Sequence, residues 1–88
     1  MSYNKTFGGS MPRIIDNKRN NLVGEKVRYY RKKRKYSQKT LSEKLETVAV
    51  YICRGSISRI EDGTRTVTDI ELYGLASVLN VSIMDLFP

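Results

Sequence analysis

The segment ICRGSISRIEDGTR, residues 52–65, sets three arginines, two serines and two glycines around three isoleucines. Wound as a helix at about 100° per residue, it throws Ile57 and Ile60 to one side. Gly55, Ser58, Arg59 and Asp62 go to the other, with Arg54 flanking and Glu61 on the edge nearer the apolar side. The chemistry such a face offers is recognition rather than bond making. Arginine presents a planar fork of donors that matches the O6 and N7 acceptors of guanine. Small residues let a helix come close to another surface, and a helix N-terminus favours phosphate. A solvated basic face has the same composition, so the neighbouring elements decide between the two readings.

From residue 21 onward, short helical patterns follow one another without strand signals. In NNLVGEKVRYYRKKRKY, Val23, Val27 and Tyr30 form one stripe, with Asn20 or Asn21 as the N-cap. A second helix starts after Ser37, where Leu41, Leu45, Val48 and Ile52 step by four, three and four, so its pattern runs past Leu45 and turns near Ala49 to Tyr51. The third helix has Cys53 as a weak N-cap. Ile52 and Ile57 stand at hydrophobic-staple spacing, and Gly63 marks the end. A fourth follows Thr68, with Asp69 and Glu71 in its first turn, a buried stripe of Leu72, Leu75, Ala76 and Leu79, and Asn80 as a left-handed stop. A fifth is a single turn capped by Ser82 that packs Ile83, Leu86 and Phe87, with no effector domain expected after it.

The totals narrow the function classes. The 88 residues suit one small domain, with 16 Lys+Arg against 9 Asp+Glu, a net charge of +7 and a pI near 9.8. The charge is asymmetric: +3 over residues 1–20, +6 over 21–35, +1 over 36–67 and −3 over 68–88. A basic balance points to a polyanionic partner, nucleic acid before an anionic membrane surface. The chain has no histidine and a single cysteine, Cys53, so neither a zinc finger nor an internal disulfide is available. The lone thiol suits a reducing cytoplasm. No apolar run is long enough to span a membrane, and the N-terminus lacks the apolar centre of a signal peptide. With no metal cluster, no phosphate-cradling glycine loop and no acid–base pair at useful spacing, an enzyme is not expected, nor a cofactor. Residues 1–20, punctuated by Gly8, Gly9, Ser10 and Pro12, read as a flexible tail ahead of a domain at 21–88.

Taken in order, VGEKVRYYRKKRKYSQKTLSEKL, ISRIEDGTR and the ending LYGLASVLNVSIMDLF resemble the lambda-repressor-like, Xre-type helix-turn-helix family, from about Leu22 to Phe87. That resemblance implies an all-α, compact five-helix domain that binds double-stranded DNA. Its second and third helices would form the helix-turn-helix. Arg54, Gly55 and Arg59 fall where relatives contact base edges, with Ser58 joining that face. Gly55 has only its backbone to offer. Gln38 falls where relatives buttress the recognition helix and touch a phosphate. Ser56, Thr64 and Arg65 fall on backbone-contacting positions, and Arg31 and Glu61 match a buried salt bridge between the first and third helices.

Two departures stand out. Eleven residues separate Leu45 from Ile57, about five more than the compact pattern, or about a turn and a half of helix. They lengthen the second helix or its connector, as in a longer variant of the family in which a segment here reading RTVTDIEL follows the recognition helix. The turn glycine is also missing, with Ala49 nearest in kind, while Lys35 and Asn80 stand where glycines are common.

The other features read more plainly. RYYRKKRKY is either a solvated face or a source of long-range attraction for DNA, with Lys32 and Lys33 as steering charges and Arg31 structural. Tyr29, Tyr36, Tyr51 and Tyr73 are expected in core or boundary packing, since a stacking platform needs a sheet or groove. Cys53 is expected to be a small buried residue. The function expected is sequence-specific binding of double-stranded DNA by a small transcriptional regulator, a repressor, acting as a homodimer on DNA. The alternative is a protein-interaction module of the same fold, an antitoxin or adaptor.

Overall fold

A computed structural model describes residues 19–88. Of the tail expected over 1–20, residues 1–18 lie outside the described residues. The elements are α1 (Gly24–Lys33), α2 (Gln38–Glu46), α3 (Arg54–Glu61) and α4 (Asp69–Leu79), followed by a 3-10 turn at Ile83–Leu86. The described residues are therefore all-α, with four α-helices, and the expected fifth helix is a 3-10 turn. Four residues between the Ser82 cap and the extended Phe87 are too few to nucleate an α-helix.

Capping explains most of the boundaries. Ser37 Oγ accepts from Thr40 N at the start of α2, and Thr68 and Glu71 exchange hydrogen bonds in a capping box at the start of α4. At α1 the residue preceding the helix is Val23, which cannot cap. Asn21 acts from two residues upstream, its Oδ1 accepting from Val23 N at 3.0 Å and Gly24 N at 2.7 Å. After α1, α2 and α4 the chain turns through left-handed backbone at Lys35, Ala49 and Asn80 (φ 63°, 62° and 58°). These are the positions where the resemblance places glycine, and lysine and alanine adopt that conformation only at a cost of about 1–2 kcal/mol each.

Val27, Leu41, Leu45, Ile57, Ile60, Leu75, Leu79 and Leu86 form the sealed centre, each with no exposed surface. Every helix contributes to it, which holds α3 by its Ile57–Ile60 side and leaves its other side outward. Ile83, expected to pack, is exposed, because the 3-10 turn points Leu86 inward instead.

The extra residues between Leu45 and Ile57 belong to the connector and not to a longer helix. α2 stops at Glu46, and Val48, expected on its stripe, is 43% exposed. The burial pattern then changes period. Val50 and Ile52 are buried while Tyr51 between them is 75% exposed, as in an extended chain. Ile52 reaches the core by that route. Val50 rests on α4 at Gly74, where an added Cβ would lie 2.7 Å from Val50 Cγ2.

Candidate nucleic-acid interface

α3 is tied to α1 by backbone proximity and by charge. Gly24 on α1 lies so close to the Ile60 carbonyl that a Cβ there would collide with it. Asn21 Nδ2 donates to Ile60 O at 3.0 Å and Arg65 O at 2.8 Å, while Asn20 N donates to Gly63 O at 2.7 Å. These bonds close the end of α3 and the loop after it. Gly63 makes the turn in left-handed backbone, φ 85°.

Glu61 is the charged centre of this junction, with its side chain fully buried. Arg31, 8% exposed, donates from Nε to Oε2 at 2.6 Å and from Nη2 to Oε1 at 3.0 Å. Gln38 Nε2 and Arg28 Nε donate to the same Oε1 at 3.1 and 3.3 Å. Burial pushes the Glu61 carboxyl upward, but the hydrogen bonds and charge of Arg31, with Gln38 and Arg28, outweigh it and hold the group below its ordinary range. One carboxylate on α3 thereby fixes residues from α1 and from the first turn of α2.

The outward side of α3 carries Arg54, Gly55 and Arg59, all exposed, with Ser56 and Ser58 half-buried. Arg59 lies back along the helix, its Nη2 donating to Ser56 Oγ at 3.1 Å. That bond uses one of the five N–H donors of a guanidinium. Its Nη1 is 3.8 Å from where a Cβ on Gly55 would sit, so the bare glycine surface gives Arg59 a flat bed. Cys53 is exposed rather than buried, because its backbone precedes the helix and its Sγ–H points to Ser56 Oγ at 3.4 Å. The Ser56 hydrogen bonds hold its thiol below the ordinary value.

The loop after α3 is bound to the protein itself. Thr64 Oγ1 donates to Asp62 Oδ1 at 2.8 Å. Arg65 lays both Nη atoms on the Glu71 carboxylate, each at 3.0 Å, and donates from Nη1 to Thr66 O at 2.9 Å. The Arg65 hydrogen bond holds the Glu71 carboxyl down, against the upward push of burial, and Glu71 raises Arg65 in turn. Even so, Arg65, Arg54, Cys53 and Ser56 line one recess at the N-terminal end of α3, together with Ser42, Glu46 and Tyr51.

The arginines of RYYRKKRKY divide at a spacing of three. Arg28 and Arg31 turn toward α3, and Arg34 caps α4, donating to Leu79 O at 2.8 Å and Asn80 O at 3.2 Å. Arg28 is a member of the Glu61 cluster that sequence reasoning missed; its place three residues before Arg31, on the same helix face, was the available signal. At about 100° per residue, Lys33 falls on the opposite side of α1 from Gly24 and Arg31, with its Nζ 5.8 Å from the Tyr29 ring centre. Tyr29, Tyr51 and Tyr73 are exposed, not packed, while Tyr36 is half-buried under Lys44 Nζ at 5.0 Å.

Comparison with known proteins gives a consistent result. A family profile described as Helix-turn-helix matches residues 27–86, more than half of the chain. Among solved structures, the restriction-modification controller protein C.AhdI from Aeromonas hydrophila is 28% identical, over 75% of this chain and 91% of that one, with a TM-score of 0.65. The DNA-binding domain of BldD is 23% identical, over 84% of this chain and 100% of that one, with a TM-score of 0.67, a likeness of fold. No protein of curated function matches the chain in sequence.

Proposed function

The chain belongs to the lambda-repressor-like helix-turn-helix family, and from that premise we propose that it is a non-enzymatic, DNA-binding transcription regulator that reads double-stranded DNA through α3. The observation that carries this reading is the exposed face of Arg54, Gly55 and Arg59 on a helix whose opposite side is locked into the core by Ile57, Ile60 and Glu61. A rigid helix with a flat, basic outer surface suits the major groove. Arg54 and Arg59 then fork onto guanine edges, and Gly55 and Ser58 lie against the groove. Gln38, Ser56 and Thr64 contact the sugar–phosphate backbone, with Arg28 beside them. Arg65 joins that set as a positive flank whose guanidinium Glu71 orients.

We further assign repression by operator occupancy and binding as a homodimer to a near-palindromic site, with half-sites about one helical turn apart. The likeness to a restriction-modification controller protein supports a regulatory role. No helix among the described residues is long and apolar enough to cross a membrane, and we place the protein in the cytoplasm with its DNA. The interaction-module alternative draws on Ile70 and Tyr73, large side chains exposed on α4.

The test is a titration of Arg54→Ala and Arg59→Ala against a preferred duplex and its single-base variants. Each substitution is expected to cost about 1–3 kcal/mol on the preferred site and to relax preference at one base position. A uniform loss over all sequences would reduce these arginines to phosphate contacts.

A further inference from the structure

The connector between α2 and α3 is anchored at two points, and both bear on where α3 begins. Val50 packs against α4, where a Cβ on Gly74 would stand 2.7 Å from Val50 Cγ2 and 3.1 Å from Val50 Cβ. Two residues later, Ser42 Oγ on α2 donates to Ile52 O at 2.7 Å. Ile52 immediately precedes Cys53, the residue that opens α3. Glycine inside a helix weakens it relative to alanine, and Gly74 lies in the middle of α4, so its presence answers to what it lets approach. At its other end α3 is held to α1 by Glu61 and by the Gly24 contact. A displacement of the connector therefore enters α3 at its N-terminus, while its C-terminus acts as a pivot.

We propose that Val50, with Gly74 as its socket, is a positioning residue for base reading: the pair sets the tilt at which α3 presents Arg54 and Arg59, and so the site that the protein prefers. This rests on the DNA-reading role assigned above. The valine side chain is stiff at χ1, so rotation cannot relieve a methyl added at position 74. Carbon atoms in contact settle near 3.5–4.0 Å, so alanine at 74 displaces Val50 by about 1 Å.

The test compares full-length wild type, Gly74→Ala, Val50→Ala and the double variant. Affinity is measured on the duplex that wild type selects and on a scrambled duplex, and residual dipolar couplings give the orientation of α3 relative to α4. Gly74→Ala is expected to keep its affinity for the scrambled duplex within about twofold, because phosphate contacts persist. On the selected duplex it is expected to lose about tenfold, the weight of one bidentate base contact, with a measurable rotation of α3. The double variant should recover most of the selected-to-scrambled ratio. A folded Gly74→Ala that keeps the wild-type ratio and orientation overturns the proposal. Should Gly74→Ala fail to fold, Val50→Ala decides: a reduced ratio supports the positioning role and an unchanged one overturns it. If wild type shows no site preference, base reading itself fails, and the couplings alone judge whether the pair sets the tilt.

Discussion

Glu61→Ala removes the acceptor on which four donor contacts converge: two from Arg31, one from Gln38 and one from Arg28. Arg28 is half-exposed and can turn to water, but Arg31 is 8% exposed and cannot without opening α1 from α3. Its charge is left buried without a counterion, which costs about 3–5 kcal/mol. A domain of this size has a total stability of only about 4–10 kcal/mol at typical values per residue. The loss therefore consumes about a third of the total or more, equivalent to a fall in Tm of roughly 12–40 °C. Urea unfolding followed by circular dichroism is the assay, with the midpoint falling and the slope unchanged. Adding Arg31→Met to Glu61→Ala should restore part of the loss, since the unpaired charge is then gone. A loss below about 1 kcal/mol, the size expected of an exposed pair, would refute the claim that this ion pair is buried.

Acid should act through the same group. A carboxyl held below its ordinary value contributes stability that is present above the unfolded-state pKa, about 4.3 for glutamate, and is lost as pH falls through the lower folded-state value. Wild type is therefore expected to destabilise steadily below about pH 4.3, and Glu61→Gln to do so less steeply, with Glu71 supplying the remainder; equal slopes would remove Glu61 from the account. Gly24→Ala forces a methyl against the Ile60 carbonyl and should cost about 1–3 kcal/mol by overpacking, despite the helix propensity gained; a neutral or positive change in unfolding midpoint would show that α1 can back away from α3. Arg28→Gln should lower the salt slope of DNA binding by about 0.9, one phosphate contact, and Lys33→Gln, on the far side of α1, by less than about half of that. Equal slopes for the two variants would assign Arg28 to the protein alone.

Local features were legible because they depend on near neighbours. Ser37, Thr68 and Ser82 cap by side-chain type, and Ile57 and Ile60 face inward by helical period. Lys35, Ala49 and Asn80 turn left-handed where glycine is usual in the family. The connector was harder to read, because Leu41, Leu45, Val48 and Ile52 fit a helix by spacing. Val50 and Ile52 are buried instead by an extended chain whose partner, Gly74, lies more than twenty residues away. The pairing of Arg65 with Glu71 was not legible, because the partner is six residues on and across a turn. Three tyrosines expected at the boundary are exposed, since their long side chains fit a boundary or a surface equally well by pattern. Helical spacing puts Arg28 on the face of Arg31, but its meeting with Gln38 on one Glu61 oxygen depends on the angles between three helices.

The central claim is that α3 reads bases. Selection from a random duplex library at physiological salt, using the full chain, tests it most directly. Enrichment of a near-palindromic site with guanine-containing steps is expected, lost at specific positions in Arg54→Ala and Arg59→Ala. Retention of the library without enrichment, at affinities set by salt alone, would contradict it.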